Sequence, residues 1–164
     1  MINDAYTLTD VFDKITWSEG LTFVGDVTWT DYQVGALVHL DNAQPRINVA
    51  FLIVRAQDSS NFLALALHDY DFLDSDWSRG RWYVVQNGQW QEKSPASFPI
   101  PLTTKFNVAV EVNQDIITTY IDGVQASRWE NSPYLTGMVG IGVSSRYPTS
   151  PASFDNFYVI TIPQ

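Results

Sequence analysis

Residues 69–82, Asp-Tyr-Asp-Phe-Leu-Asp-Ser-Asp-Trp-Ser-Arg-Gly-Arg-Trp, bring four acids, four aromatic rings and two arginines into one short segment. Sugar recognition uses that mixture: an aromatic face meets the apolar C–H side of the ring, and planar donors and acceptors meet its hydroxyls. Tyr70, Asp71, Trp77, Arg79 and Trp82 are the candidate binding residues of this segment. The competing reading places Phe72 and Trp82 in a core and leaves the acids solvated, since loops carry function but also merely connect.

Two further polar residues adjoin apolar runs. Arg55 ends the run Ile47 to Arg55, where a guanidinium must reach water, pair with a carboxylate such as Asp58, Asp69 or Asp71, or face a ligand. His68 lies where the run Phe62 to His68 gives way to the acidic segment, and a hydrogen-bonded strand-end histidine is the ordinary alternative to a binding role. Trp90 completes the candidate set. The Asn87-Gly88 turn folds residue 90 back beside residue 85, so Trp77, Trp82 and Trp90 are expected near one another, with Trp82 and Trp90 on a shared face. Trp17, Trp29 and Trp129 are read as core.

Catalysis finds little to work with. A glycosidase needs two carboxylates facing each other across a sugar. The four Glu stand at 19, 92, 111 and 130, none within three residues of another. A lyase-type set of Tyr70, His68 and Arg55 is conceivable, but no spacing requires it.

The elements that must carry these residues read as strands. Ile47 to Arg55 and Phe62 to His68 flank a polar cluster at 56–61, and residues 81–86 and 89–93 flank Asn87-Gly88, giving two hairpins. Leu63, Leu65 and Leu67 alternate with Ala64 and Ala66, which predicts one face on a core and a shallow alanine floor open to close approach. Phe106, Val108, Val110 and Val112 alternate onto one face, and Asp122-Gly123 is another tight turn in a closing meander. No window carries a capped helical stripe. Ten to twelve short strands at regular spacing are the pattern of a sandwich or barrel.

At 164 residues the chain is about one domain, residues 1–164, and 45% hydrophobic with 14% aromatic residues it is too apolar to stay disordered. A net charge of −9 would repel nucleic acid and anionic membrane. The absence of cysteine excludes disulfides and thiolate metal sites. No stretch approaches the roughly 18 apolar residues of a membrane span, and Met1-Ile2-Asn3-Asp4 does not begin a signal peptide. If the chain belongs to a secreted protein, its signal lies outside this sequence.

Five pieces stand in a recognisable order: Trp29-Thr30-Asp31-Tyr32, residues 54–62 (Val-Arg-Ala-Gln-Asp-Ser-Ser-Asn-Phe), Tyr120-Ile121-Asp122-Gly123, the glycine-spaced strand 137–142, and Phe154-Asp155-Asn156-Phe157. Together they resemble the concanavalin A-like (laminin G-like) jelly-roll domains, from about residue 10 to 162. The resemblance implies an all-β, two-sheet antiparallel β-sandwich. It is greatest to non-catalytic carbohydrate-binding modules of secreted glycoside hydrolases, including fructan-binding ones. It therefore implies a neutral polysaccharide or oligosaccharide ligand, an extracellular or cell-surface setting, and a catalytic domain as partner in a larger protein. It also implies a ligand-facing sheet that includes Arg55. A structural calcium would be held by Asp155 with oxygens of the N-terminal segment such as those of Asp10, Asp13 or Glu19. One departure is Leu63, where the family commonly has Tyr. The same fold hosts adhesive subunits, lyases and hydrolases, so a self-associating structural domain and an enzyme remain the alternatives.

Overall fold

A computed structural model of the chain describes residues 6–7, 18–40, 47–70, 79–93, 97–101, 105–145 and 152–162. These residues form β1 (Tyr6–Thr7), β2 (Ser18–Val24), β3 (Tyr32–His39), β4 (Ile47–Asp58), β5 (Asn61–Tyr70), β6 (Arg79–Gln86) and β7 (Gln89–Glu92). There follow β8 (Phe98–Pro99), β9 (Lys105–Asn113), β10 (Ile116–Ile121), β11 (Val124–Trp129), β12 (Met138–Ser145) and β13 (Ser153–Thr161). One sheet runs β1-β13-β3-β9-β10-β11; the other runs β2-β12-β4-β5-β6-β7, with β8 added against β6. Every pairing is antiparallel. The molecule is the jelly-roll β-sandwich that the strand pattern and the resemblance imply.

The tight turns fall where the sequence sets them. Asn87 and Gly88 have φ of 51° and 74°, and Asp122 and Gly123 have 48° and 80°, the doubly positive pattern that a type I′ hairpin demands. The first hairpin is longer than expected, because β4 and β5 continue to a two-residue turn at Ser59-Ser60. There the Asp58 carboxylate accepts the Ser60 N–H at 2.7 Å and the Asn61 side chain at 2.9 Å. The cluster at 56–61 is thus mostly strand, with a register shift at its base between Val54 and Asp58.

Alternation fills the space between the sheets. Phe106, Val108, Val110 and Val112 of β9 are each at most 1% exposed and face Leu63, Leu65, Leu67 and Trp82 of the other sheet in one cluster. Leu63 is interior, so no ligand contact is lost there by the absence of a tyrosine ring.

The register shift in β4 delivers Arg55 into this interior. Its backbone takes φ of 56°, rare for a side-chain-bearing residue, and the residue is wholly buried. The guanidinium donates to the Gln114 carbonyl at 2.7 Å, in the β9–β10 turn, and to the Tyr134 carbonyl at 3.4 Å, in the connection from β11 to β12. The Arg55 N–H donates to the Tyr32 hydroxyl of β3 at 2.9 Å. Burial lowers the guanidinium pKa, while the charge of Asp31 opposes the shift. Burial also pushes the Tyr32 phenol up to about 12, so it stays neutral.

Gly137 completes this junction. It adopts φ of 142°, and a Cβ there would overlap the Arg55 backbone. Gly137→Ala should therefore cost about 3 kcal/mol or more of stability, through strain and overlap together. Gly123→Ala, at φ of 80° but with open space around it, should cost only about 1 kcal/mol. Urea midpoints of the two variants check this; equal shifts would contradict it.

Candidate functional site

Pairing register decides which side chains meet on the outside of the seven-stranded sheet. Leu63, Leu65 and Leu67 point into the sandwich, so Phe62, Ala64, Ala66 and His68 of β5 point outward. Val85, Tyr83, Arg81 and Arg79 of β6 stand opposite them, in that order. β7 then sets Trp90 opposite Val85 and Glu92 opposite Tyr83.

The middle of this face is an aromatic cluster. The Trp90 ring lies 5.2 Å from Phe51, 5.5 Å from Phe62 and 5.8 Å from Tyr83, centroid to centroid, and Phe62 meets Phe23 at 5.7 Å. Ala64 and Ala66 are wholly buried within it. The expected open alanine floor is therefore covered: what approaches it closely is the chain's own rings.

Polar groups gather at the margin. Arg81 Nη1 lies 3.2 Å from Glu92 Oε2, with the two side chains 29% and 46% exposed. Arg81 also hydrogen-bonds Tyr83, whose phenol pKa is raised by burial and by Glu92 against the opposing pull of Arg81. A planar cation, a carboxylate, a phenol and the half-buried Trp90 indole thus sit side by side and partly open to solvent.

His68 lies on the same face beside Arg79 in the register. Its Nε2 is buried without a hydrogen-bond partner among the described residues. Burial, reinforced by the Arg81 charge, pulls its pKa to about 4, so the ring is neutral at pH 7. The Glu92 carboxylate is already engaged by Arg81. The facing pair of acids that glycoside hydrolysis needs is not assembled among the described side chains.

The other sequence candidates fall elsewhere. Trp82 does not share a face with Trp90: it is three residues from Val85, an odd step that turns it inward. It is wholly buried, donates Nε1–H to Thr119 Oγ1 at 3.2 Å and packs on Trp129 at 5.9 Å. Arg55 belongs to the seven-stranded sheet, which the resemblance implied would face a ligand, but it points into the interior. It stands six residues beyond Val49, the partner of His68, or about 20 Å along the strand. The lyase-type set of Tyr70, His68 and Arg55 is therefore not brought together. Tyr70 closes β5 opposite Ile47. Asp71, Trp77, Trp17, Asp10 and Asp13 lie outside the described residues.

Arg81, Tyr83 and Glu92 were not singled out by sequence. The signal was present, because the Asn87-Gly88 turn fixes 81, 83 and 85 on one face with 90 and 92.

Of the residues expected to hold calcium, Asp10 and Asp13 lie outside the described residues, and Asp155 is described. The Asp155 carboxylate accepts the N–H of the next residue, Asn156, at 2.8 Å. No group of three His, Cys, Asp or Glu side chains able to hold a metal ion occurs among the described residues.

No protein-family model and no curated protein matches the sequence. Solved structures do match the fold. A carbohydrate-binding module, CBM66 from Bacillus subtilis, is similar with a TM-score of 0.63 and 15% identity, over 88% of this chain and 95% of that one. A toad ovary galectin in complex with thio-digalactose is similar with a TM-score of 0.61 and 12% identity, over 87% and 98%. The exoplasmic/lumenal domain of VIP36, in a Ca2+/Man-bound form, is similar with a TM-score of 0.68 and 12% identity, over 97% and 82%. At these identities the likeness establishes the shared jelly-roll sandwich.

The buried imidazole gives a pH test. Its pKa in the fold, about 4, lies below the ordinary 6.5, so the folded state favours the neutral ring. Its contribution is complete above pH 6.5 and is lost as the pH falls toward 4, by about 3 kcal/mol over that window. His68→Gln should flatten this acid limb relative to the parent in urea titrations at stepped pH. Parallel curves would show that the imidazole is solvated.

Proposed function

We propose that the chain is a non-catalytic carbohydrate-binding domain whose site is the outer face of β5, β6 and β7. The observation that carries this reading is the Arg81–Glu92–Tyr83 network beside the half-buried Trp90 ring. An indole and a phenol offer apolar surface to the C–H face of a sugar, while a guanidinium and a carboxylate offer paired donors and acceptors to adjacent hydroxyls. His68 and Arg79 extend the face.

The names of the similar structures, a carbohydrate-binding module, a galectin with a thio-digalactose and a mannose-bound lumenal domain, support the same reading. The net charge of −9 favours a neutral glycan over an anionic one. In this reading the domain serves a larger secreted or surface protein by holding a catalytic partner on polysaccharide. Arg55 and Trp82 support the site through the fold and touch no ligand.

Affinity electrophoresis on neutral polysaccharides, a fructan included, tests the reading together with a glycan array. Retention is expected and should hardly change with salt. Trp90→Ala should weaken it by about tenfold or more, the equivalent of about 1.4 kcal/mol. Arg81→Gln and Glu92→Gln should also weaken it, with melting temperatures recorded for all three variants. Absence of retention on every glycan would sink the proposal.

A further inference from the structure

A second feature lies in the other half of the sandwich. The β2–β3 connection and the end of β13 enclose a groove of about 350 Å³, lined by Thr28, Trp29, Thr30, Asp31, Val159 and Thr161, with Tyr32 at its base. Thr161 pairs with Tyr32 in the six-stranded sheet, so the groove is separated from Trp90 by the core. Its volume is near the lower end of ligand pockets, about 300–1,000 Å³, which suits one small molecule rather than a polymer lying across it.

Trp29 was expected in the core but is only partly buried, and it is braced on several sides. Its ring packs so closely on Gly25 that a Cβ there would overlap it, and it meets Tyr32 edge-on at 6.1 Å. Its backbone N–H donates to the Asp26 carbonyl at 3.1 Å, and its own carbonyl accepts the Gly137 N–H at 2.9 Å. A ring held in place before a ligand arrives costs little ordering entropy on binding.

The polar lining is selective. Thr28 donates both its N–H and its hydroxyl to Asp26 Oδ1, each at 2.8 Å, which leaves the hydroxyl oxygen to accept a hydrogen bond. The Asp31 carboxylate is a strong acceptor held in place by the Gln114 N–H at 2.6 Å. Thr30 and Thr161 are exposed and can donate or accept. Among the described residues that line the groove none is basic, and Asp31 places a carboxylate there, which disfavours an anionic ligand.

We propose that this groove is a second binding site, taking a single neutral sugar or polyol packed against Trp29 with its hydroxyls on Asp31 and the threonines. It stands independently of the Trp90 face, and together the two would make the domain bivalent.

Indole N–H signals of the 15N-labelled chain, assigned by single Trp→Phe variants, test this. The probes are methyl glucoside, methyl galactoside, methyl mannoside and fructose, with glucuronate as the anionic control. At least one neutral probe should shift the Trp29 signal saturably, and glucuronate should not. Thr161→Phe fills the groove from an exposed position beside Tyr32. It should weaken that binding by about tenfold or more while leaving any Trp90 response unchanged.

A Trp29 signal that is silent to every neutral probe, that responds equally to glucuronate, or that is unaffected by Thr161→Phe overturns the proposal. A shift at Trp90 alone upholds the outer-face reading and removes this one. A shift at Trp29 that Thr161→Phe abolishes, with Trp90 silent throughout, does the reverse.

Discussion

A positive charge inside an apolar sandwich sets the terms for one end of this molecule. A buried guanidinium is costly unless its donors find acceptors, and the two terminal nitrogens of Arg55 find them on the Gln114 and Tyr134 carbonyls, contributed by segments that are neighbours only in space, while its Nε is buried without a partner among the described residues. The positive φ at Arg55 and the register shift in β4 turn the side chain toward them. That in turn brings the Arg55 backbone against Tyr32 on one side and Gly137 on the other. The β3 start, the β9–β10 turn and the β11–β12 connection are therefore fastened together by one side chain. Asp31 belongs to the same junction, since its carboxylate accepts the Gln114 N–H while Gln114 accepts from Arg55.

The second organising fact is that β4 and β5 are buried on both faces. One face joins the interior of the sandwich; the other joins Phe51, Phe62, Val85 and Trp90 in a separate apolar cluster. This explains why both strands read as nearly continuous apolar runs, a pattern more usual in the middle of a parallel sheet. Polar chemistry is displaced to the margin, where β6 and β7 carry Arg81, Tyr83 and Glu92.

What was legible in the sequence was local. The Asn87-Gly88 and Asp122-Gly123 turns and the Phe106 to Val112 alternation depend on neighbouring residues and were found where the structure has them. Arg55 was visibly unusual, but its acceptors lie 59 and 79 residues away, a separation that no window can see. The grouping of Trp82 with Trp90 failed for a different reason: proximity in a hairpin does not decide the face, and an odd step along a strand reverses it. Of the proposed site, Trp90, His68 and Arg79 were named by residue type. Arg81, Tyr83 and Glu92 needed the register to be carried through the turn.

Sealing β4 and β5 on both sides also has a mechanical meaning. Amides in such strands open only with the most cooperative part of a fold, so the pair acts as a stiff beam across the sheet. Tyr83 of β6 and Trp90 of β7, packed against that beam, gain a rigid backing.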